Sequence, residues 1–226
     1  LDDEKRLGEI LDEMRSRSRM RLEGASHSAA VARACSYFSP VRAFDDMTGG
    51  IEYFHFLEKT ADAYSKDEKF RKELVRKLKE TAEKLFAADN LMVGYTADEE
   101  GYKALPEELK KFKAALSDKP SRRYAFEFVP ELKNEGFKTS SKVNYVARCG
   151  SFDAEAYTGA LEVLKVIMNY EYLWQNLRVI GGAYGCMSNF GRSGTGCLVS
   201  YRDPKLAATD KIYEGIPEYL KNFSID

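Results

Sequence analysis

Apolar residues recur at helical spacing from the first turns of the chain. Leu7, Ile10, Leu11 and Met14 follow i, i+3, i+4, i+7 and predict an amphipathic helix over residues 3–23 with a charged outer face. A second, alanine-rich helical stretch runs from about Ser26 to Tyr37 and ends before Pro40. Thr48-Gly49-Gly50 breaks the pattern, and the apolar run from Ile51 to Leu57 opens a third helix. Residues 67–87 predict a fourth, with Phe70, Leu74, Leu78 and Leu85 on one face. Asp89-Asn90 ends it, and Leu91 to Thr96 reads as a short strand.

Residues 98–122 differ in character. They are rich in Glu and Lys, with Pro106 placed as in a first helical turn and Pro120 beyond the end, and predict a charged helix linking two units. A solvated surface helix inside a single domain fits the same pattern. From Arg123 the period changes to two: Tyr124, Phe126 and Phe128 alternate with Arg123, Ala125 and Glu127, and Val143, Tyr145 and Ala147 alternate with Asn144 and Arg148. A long helix over about 154–177 follows, carrying Tyr157, Leu161, Leu164 and Met168 on one stripe and ending at Gly181-Gly182, suited to a left-handed cap. Strands at about 183–190 and 195–201 flank a Gly191–Gly194 turn, and Asp203-Pro204 opens a last helix. The later part of the chain therefore reads β-β-α-β-β-α, an α+β layer with helices on one face of a mainly antiparallel sheet.

Composition narrows the function classes. The 35 basic and 36 acidic side chains nearly cancel, so no strong field favours nucleic acid or an anionic membrane. No apolar run approaches the roughly 20 residues needed to cross a bilayer. The four cysteines, Cys35, Cys149, Cys186 and Cys197, lie far apart without C-x-x-C spacing, and are expected to be reduced thiols rather than a disulfide scaffold, zinc ribbon or redox motif. The first residues carry no leader pattern, and both ends read as cut. A cut chain is expected to expose apolar surface and self-associate.

Candidate chemistry is sparse. His27 and His55 sit in no metal-binding spacing; His27 reads as a local hydrogen-bonding residue and His55 as an ordinary helix residue. Neither a G-x-S-x-G elbow nor a phosphate-binding Walker loop occurs. The unusual segment is 174–204. Gly181, Gly182 and Gly185 allow close approach of another backbone, flanked by Arg178 with its planar fork of donors and Tyr184 with its phenol. Together they suit holding an extended peptide and stabilising charge on a scissile carbonyl. The plainer reading also stands: the glycines only turn helix into strand, Arg178 pairs with a carboxylate and Tyr184 fills core. A phosphate cradle is disfavoured because G-G-x-x-G leads into a strand, not a helix.

Leu177-Arg178-Val179-Ile180-Gly181-Gly182-Ala183-Tyr184-Gly185, followed by Ser200-Tyr201-Arg202-Asp203-Pro204-Lys205-Leu206, resembles the C-terminal half of the pitrilysin (insulinase) family of zinc metallopeptidases, and most of all its presequence-protease branch. Gly24 to Ala30, Ser36 to Pro40 and Gly49 to Tyr53 are similar to the same branch, in register. The resemblance implies four homologous α+β domains in two halves closing around a peptide. Residues 1–100 would be the helical end of the third domain, 101–122 the charged linker and 123–226 the front of the fourth. It implies Arg178 and Tyr184 as catalytic contacts, with Gly181, Gly182 and Ala183 beside them on the substrate. Zinc would be bound outside this chain, since H-x-x-E-H is absent from it, and no metal is expected here. Peptide substrate and the N-terminal half of the same protein are the implied partners, in the cytoplasm or an organelle matrix. The rival is a catalytically inactive relative that only binds peptides or partners.

Overall fold

The computed structural model describes residues 3–120 and 122–224. Its helices are α1 (Glu4–Gly24), α2 (Ser26–Ser36), α3 (Pro40–Gly49), α4 (Ile51–Lys66), α5 (Glu68–Leu85), α6 (Glu99–Ala114), α7 (Gly159–Ile167), α8 (Ala207–Glu214) and α9 (Ile216–Lys221). The strands are β1 (Ala147–Ser151), β2 (Gly185–Gly191) and β3 (Thr195–Tyr201), in an antiparallel sheet ordered β1-β3-β2. This is an α+β chain, as the pattern predicts.

Two compact units form. One comprises Leu1–Glu13 and Lys59–Glu127, the other Met14–Glu58 and Phe128–Asp226. In the first, Leu11, Ala61 and Tyr64 make a small core with Leu7, Phe70 and Leu74 against it. The Tyr64 hydroxyl donates to the Glu4 carbonyl at 2.8 Å, which satisfies its one polar atom at the edge of that core. Asp67 caps α5 by accepting from the Lys69 and Phe70 amides, as Asp98 caps α6 by accepting from Gly101. Pro106 lies inside α6, not in its first turn, so that helix spans a position where proline removes a backbone donor.

The second unit carries the sheet. Its core is Val146, Met168, Leu173, Leu177, Ala183 and Tyr213, all buried, with Leu198 and Cys186 contributed by the strands. Because side chains alternate across a strand, β3 sends Leu198 to that core and Cys197 and Tyr201 to the other face, where Cys35 and His27 of α2 meet them. Helices thus cover both faces, not one, because α2 closes the side that the later helices leave open.

Several expected elements differ. Ser39-Pro40 starts a separate helix, α3, with the Ser39 hydroxyl accepting from Arg42; the sequence pattern alone marks only an ending there. Leu91 to Thr96 and residues 122–128 form no strand, and the predicted strand at 143–148 begins only at Ala147. The predicted helix at 154–177 is a short turn, then α7, then wide π-helical windings over Met168–Tyr172 and Trp174–Ile180. The last helix is broken at Gly215, with Pro217 in the first turn of α9.

Candidate functional site

The wide winding that ends at Ile180 sets the site. Gly182 takes φ +84, the left-handed position expected of this glycine pair. Its amide bonds the Arg178 carbonyl at 3.1 Å, and the Ala183 amide reaches Leu177 at 2.9 Å. The second of these closes a wider ring than an α-helix uses, which ends the winding and frees the chain to enter a strand. Gly181 tolerates no side chain: a Cβ there would lie 2.4 Å from the Leu177 carbonyl oxygen. The turn drops Ala183 into the core and turns Tyr184 outward, 63% exposed, just before β2.

Arg178 lies over the Trp174 ring at 4.6 Å and the Tyr184 ring at 5.3 Å, and donates to the Tyr184 carbonyl. Among the described residues no carboxylate pairs with Arg178, and the Tyr184 phenol makes no hydrogen bond. The plainer reading of these two residues, an ion pair and a core filler, therefore does not describe them, although the glycines do make a helix-to-strand turn.

Arg202 was not singled out by sequence reasoning. It sits at φ +49, rare for a residue with a side chain, with its guanidinium 5.9 Å from the Tyr184 ring. The adjoining Asp203 is buried. Its amide and carbonyl pair with Asn144, and its carboxylate accepts from the Thr209 hydroxyl at 2.6 Å and the Lys205 amide at 2.8 Å. That clamp fixes the chain direction at Arg202. Arg178, Gly182, Ala183, Tyr184 and Arg202 line an open cleft of about 430 Å³. Two guanidinium groups beside an exposed phenol offer donors to carbonyl or carboxylate oxygens, the Asp203 carboxylate being taken up by Thr209 and the Lys205 amide.

The other singled-out residues fall elsewhere. The His27 ring stands edge-on to Tyr201 at 5.0 Å, and its Nδ1 is buried without a hydrogen-bond partner; packing of α2 on the sheet replaces the local bond expected of it. His55 lies in α4 beside Phe54 and Phe137. The cysteines, distant in sequence, are not all scattered in space: Cys35, Cys149 and Cys197 meet between α2 and the sheet, Cys186 stays apart, and all four are free thiols.

Two family models match the chain. One is the PreP C-terminal domain, over residues 134–226, and the other is the associated region of peptidase family M16, subfamily C, over residues 1–59. Presequence protease 1, chloroplastic/mitochondrial, of Arabidopsis thaliana is 28% identical over 99% of this chain and 21% of its own length. The chain belongs to the presequence-protease branch of the pitrilysin family. Another member, the mitochondrial presequence protease of Kluyveromyces lactis, is 27% identical over 88% of this chain and 21% of its own. Protein HypA of Clostridium perfringens is 33% identical over the whole chain, and the match covers 23% of that protein. The chain thus spans between a fifth and a quarter of the length of these relatives, at the C-terminal region of the family. No helix among the described residues is long and apolar enough to cross a membrane.

Proposed function

We propose that the protein carrying this chain is a zinc metalloendopeptidase that degrades unfolded peptides in a closed chamber, and that this chain supplies substrate-holding and transition-state-stabilising side chains from its C-terminal half. Residues 1–100 would then be the helical end of the third homologous domain, 101–122 its linker and 123–226 the front of the fourth. The observation that supports this best is the exposed Tyr184 phenol set between Arg178 and Arg202 in an open cleft.

The chain's own histidines and acids do not fit the family's zinc ion. Among the described residues no set of His and carboxylate groups converges on one point. The ion would be held by the N-terminal half, the partner that this chain faces in the closed protein. The work left to this chain is positional and electrostatic. Arg178 spends one of its five N–H groups on the Tyr184 carbonyl and keeps others for a substrate backbone. Tyr184 would donate its hydroxyl proton to the carbonyl oxygen on which charge develops. Gly182 and Ala183 let an extended peptide approach the turn closely.

Relatives named for mitochondria or chloroplasts favour an organelle matrix, and the cytoplasm is the counterpart in a cell without organelles. The test is cleavage of an unstructured peptide by the complete protein, before and after removal of metal by a chelator and after return of zinc. Cleavage lost with the metal and restored with zinc is expected. Peptide binding without cleavage in the zinc-loaded protein would make it a binding relative instead.

A further inference from the structure

The sulfurs of Cys35, Cys149 and Cys197 all lie within 4.8 Å of one another, far along the chain from each other and away from the Tyr184 cleft. Cys149 and Cys197 are direct cross-strand partners in β1 and β3, and Cys35 of α2 comes down on them, its sulfur 3.5 Å from that of Cys197. We propose that these three cysteines form a thiolate site for a thiophilic d10 cation, of which Zn(II) is the abundant representative.

Geometry supports this first. Three thiolates around one such ion, at about 2.3 Å each, stand roughly 3.8–4.0 Å apart. The cluster brackets that spacing, so an ion enters with only small sulfur shifts. A disulfide would use two of the sulfurs and leave the third against it, whereas an ion uses all three. Soft sulfur ligands select this class of ion over magnesium or calcium.

Electrostatics agrees. Bringing all three to the thiolate state needs a cation among them, since unpaired buried charge is costly. Access is present on one side: Cys35 and Cys197 are buried, but Cys149 is only half-buried.

The site is independent of the peptidase reading, and its test is spectroscopic. The complete protein, reduced and stripped of metal, is titrated with Cd(II), and the ultraviolet thiolate-to-metal charge-transfer band is followed. A site of histidines and carboxylates gives no such band, so metal bound elsewhere in the protein does not interfere. One equivalent of Cd(II) is expected to produce the intensity of three thiolates, and to do so even after Zn(II) has been added first, because the softer ion displaces the harder one from thiolate ligands. Cys149→Ser and Cys197→Ser should each cut the band by about a third or more and weaken binding about tenfold or more, while Cys186→Ser leaves both unchanged. Cys149→Ser is the safer variant for folding because its side chain is only partly enclosed. A folded protein with all thiols reactive and no band at micromolar Cd(II), or a band at full strength in Cys149→Ser, overturns the proposal.

Discussion

Arg33 and Glu135, 102 residues apart, meet in a two-point ion pair: Nε donates to Oε2 at 2.8 Å and Nη2 to Oε1 at 3.2 Å. Arg33 also donates to the buried Asp46 at 2.6 Å, and Asp46 accepts from the Ile51 amide at 2.9 Å. Tyr37 closes the group by donating to Glu135. The node ties the irregular segment around Glu135 to α2 and the start of α4 inside the sheet-bearing unit. The Arg33 hydrogen bonds hold the Glu135 carboxyl at about 2, against the opposing effect of burial, with Tyr37 and Lys133 assisting.

That depression fixes a pH dependence. The folded state favours the ionised carboxylate, so the contribution is full above the unfolded value, about 4.3, and is lost as pH falls from there towards 2. Thermal melts between pH 6 and 2.5 should show stability falling through this window, by about 1 kcal/mol from this group once solvent screening of the pair is counted. Glu135→Gln should remove that part of the slope; an unchanged slope would mean the pair contributes nothing.

Arg33→Met should be more damaging than its surface counterparts. The Arg33 side chain is 15% exposed and that of Asp46 4%, so the substitution leaves a buried carboxylate without its cation. Loss of one partner in such a pair costs about 3–5 kcal/mol. Arg76→Met, whose partners Glu73 and Glu80 lie on the exposed face of α5, should have little effect on stability. Denaturant midpoints of the two variants compare them directly.

The Gly181-Gly182 turn predicts two different sensitivities. Gly182 has open space, its nearest neighbour to an added Cβ being the Pro204 side chain at 3.6 Å, and only its positive φ opposes a side chain. Gly182→Ala should therefore cost about 1–2 kcal/mol, and Gly182→Asn less. Gly181→Ala drives Cβ into backbone carbonyl oxygen and must displace the turn, so it should cost more and also lower activity by moving Arg178 and Tyr184. Equal stability of the two alanine variants would contradict the turn geometry.

Legibility of the sequence followed the range of the interactions. The helices α1, α2, α4 and α5 were readable because a cap and a period of 3.6 are local, and the β2–β3 hairpin because its turn carries its own glycine at φ +76. The alternation at Tyr124, Phe126 and Phe128 misled for the converse reason: period two describes a strand only where a neighbour pairs with it, and among the described residues none pairs there. At Ser39-Pro40 the local signal for α3 is present, but the same proline also suits the end of α2. Tyr184 and Arg178 stood out through the flanking glycines. Arg202 did not, because its role depends on the buried Asp203 beside it. The cysteine cluster had no local signal, since Cys35 and Cys197 meet across 162 residues.

The isolated chain should self-associate. Val41, Phe44 and Met47 lie exposed on α3, and Val163, Val166 and Tyr170 lie exposed on α7 and the winding after it, apolar side chains that association would cover. Sedimentation across a wide concentration range should show a rising mass, and a hydrophobic dye should bind. A monomer at every concentration, without dye binding, would contradict this.

Tyr184→Phe in the complete protein separates catalysis from packing. The Tyr184 ring is 63% exposed, rests beside Arg178 and Arg202, and uses its backbone, not its hydroxyl, to join the sheet: its amide donates to the Tyr201 carbonyl at 3.0 Å. Removing the hydroxyl thus leaves fold and ring contacts in place, and stability should change by less than about 0.5 kcal/mol. The proposed role is to donate to an oxygen that gains charge only on the way to the transition state. An interaction stronger in the transition state than in the ground state appears in kcat, so kcat should fall on the order of 10²–10³ with KM little changed. Arg178→Ala should behave differently, because a guanidinium holding a peptide backbone also acts in the ground state, and both parameters should worsen. It also gives up the bond to the Tyr184 carbonyl, so its loss includes some displacement of the turn; Arg178→Lys, which keeps the charge but not the planar fork, should recover only part of KM. Steady-state kinetics on an unstructured peptide distinguish these outcomes. A Tyr184→Phe protein that melts like the parent and keeps its kcat would remove Tyr184 from the reaction and leave it a surface residue of the cleft.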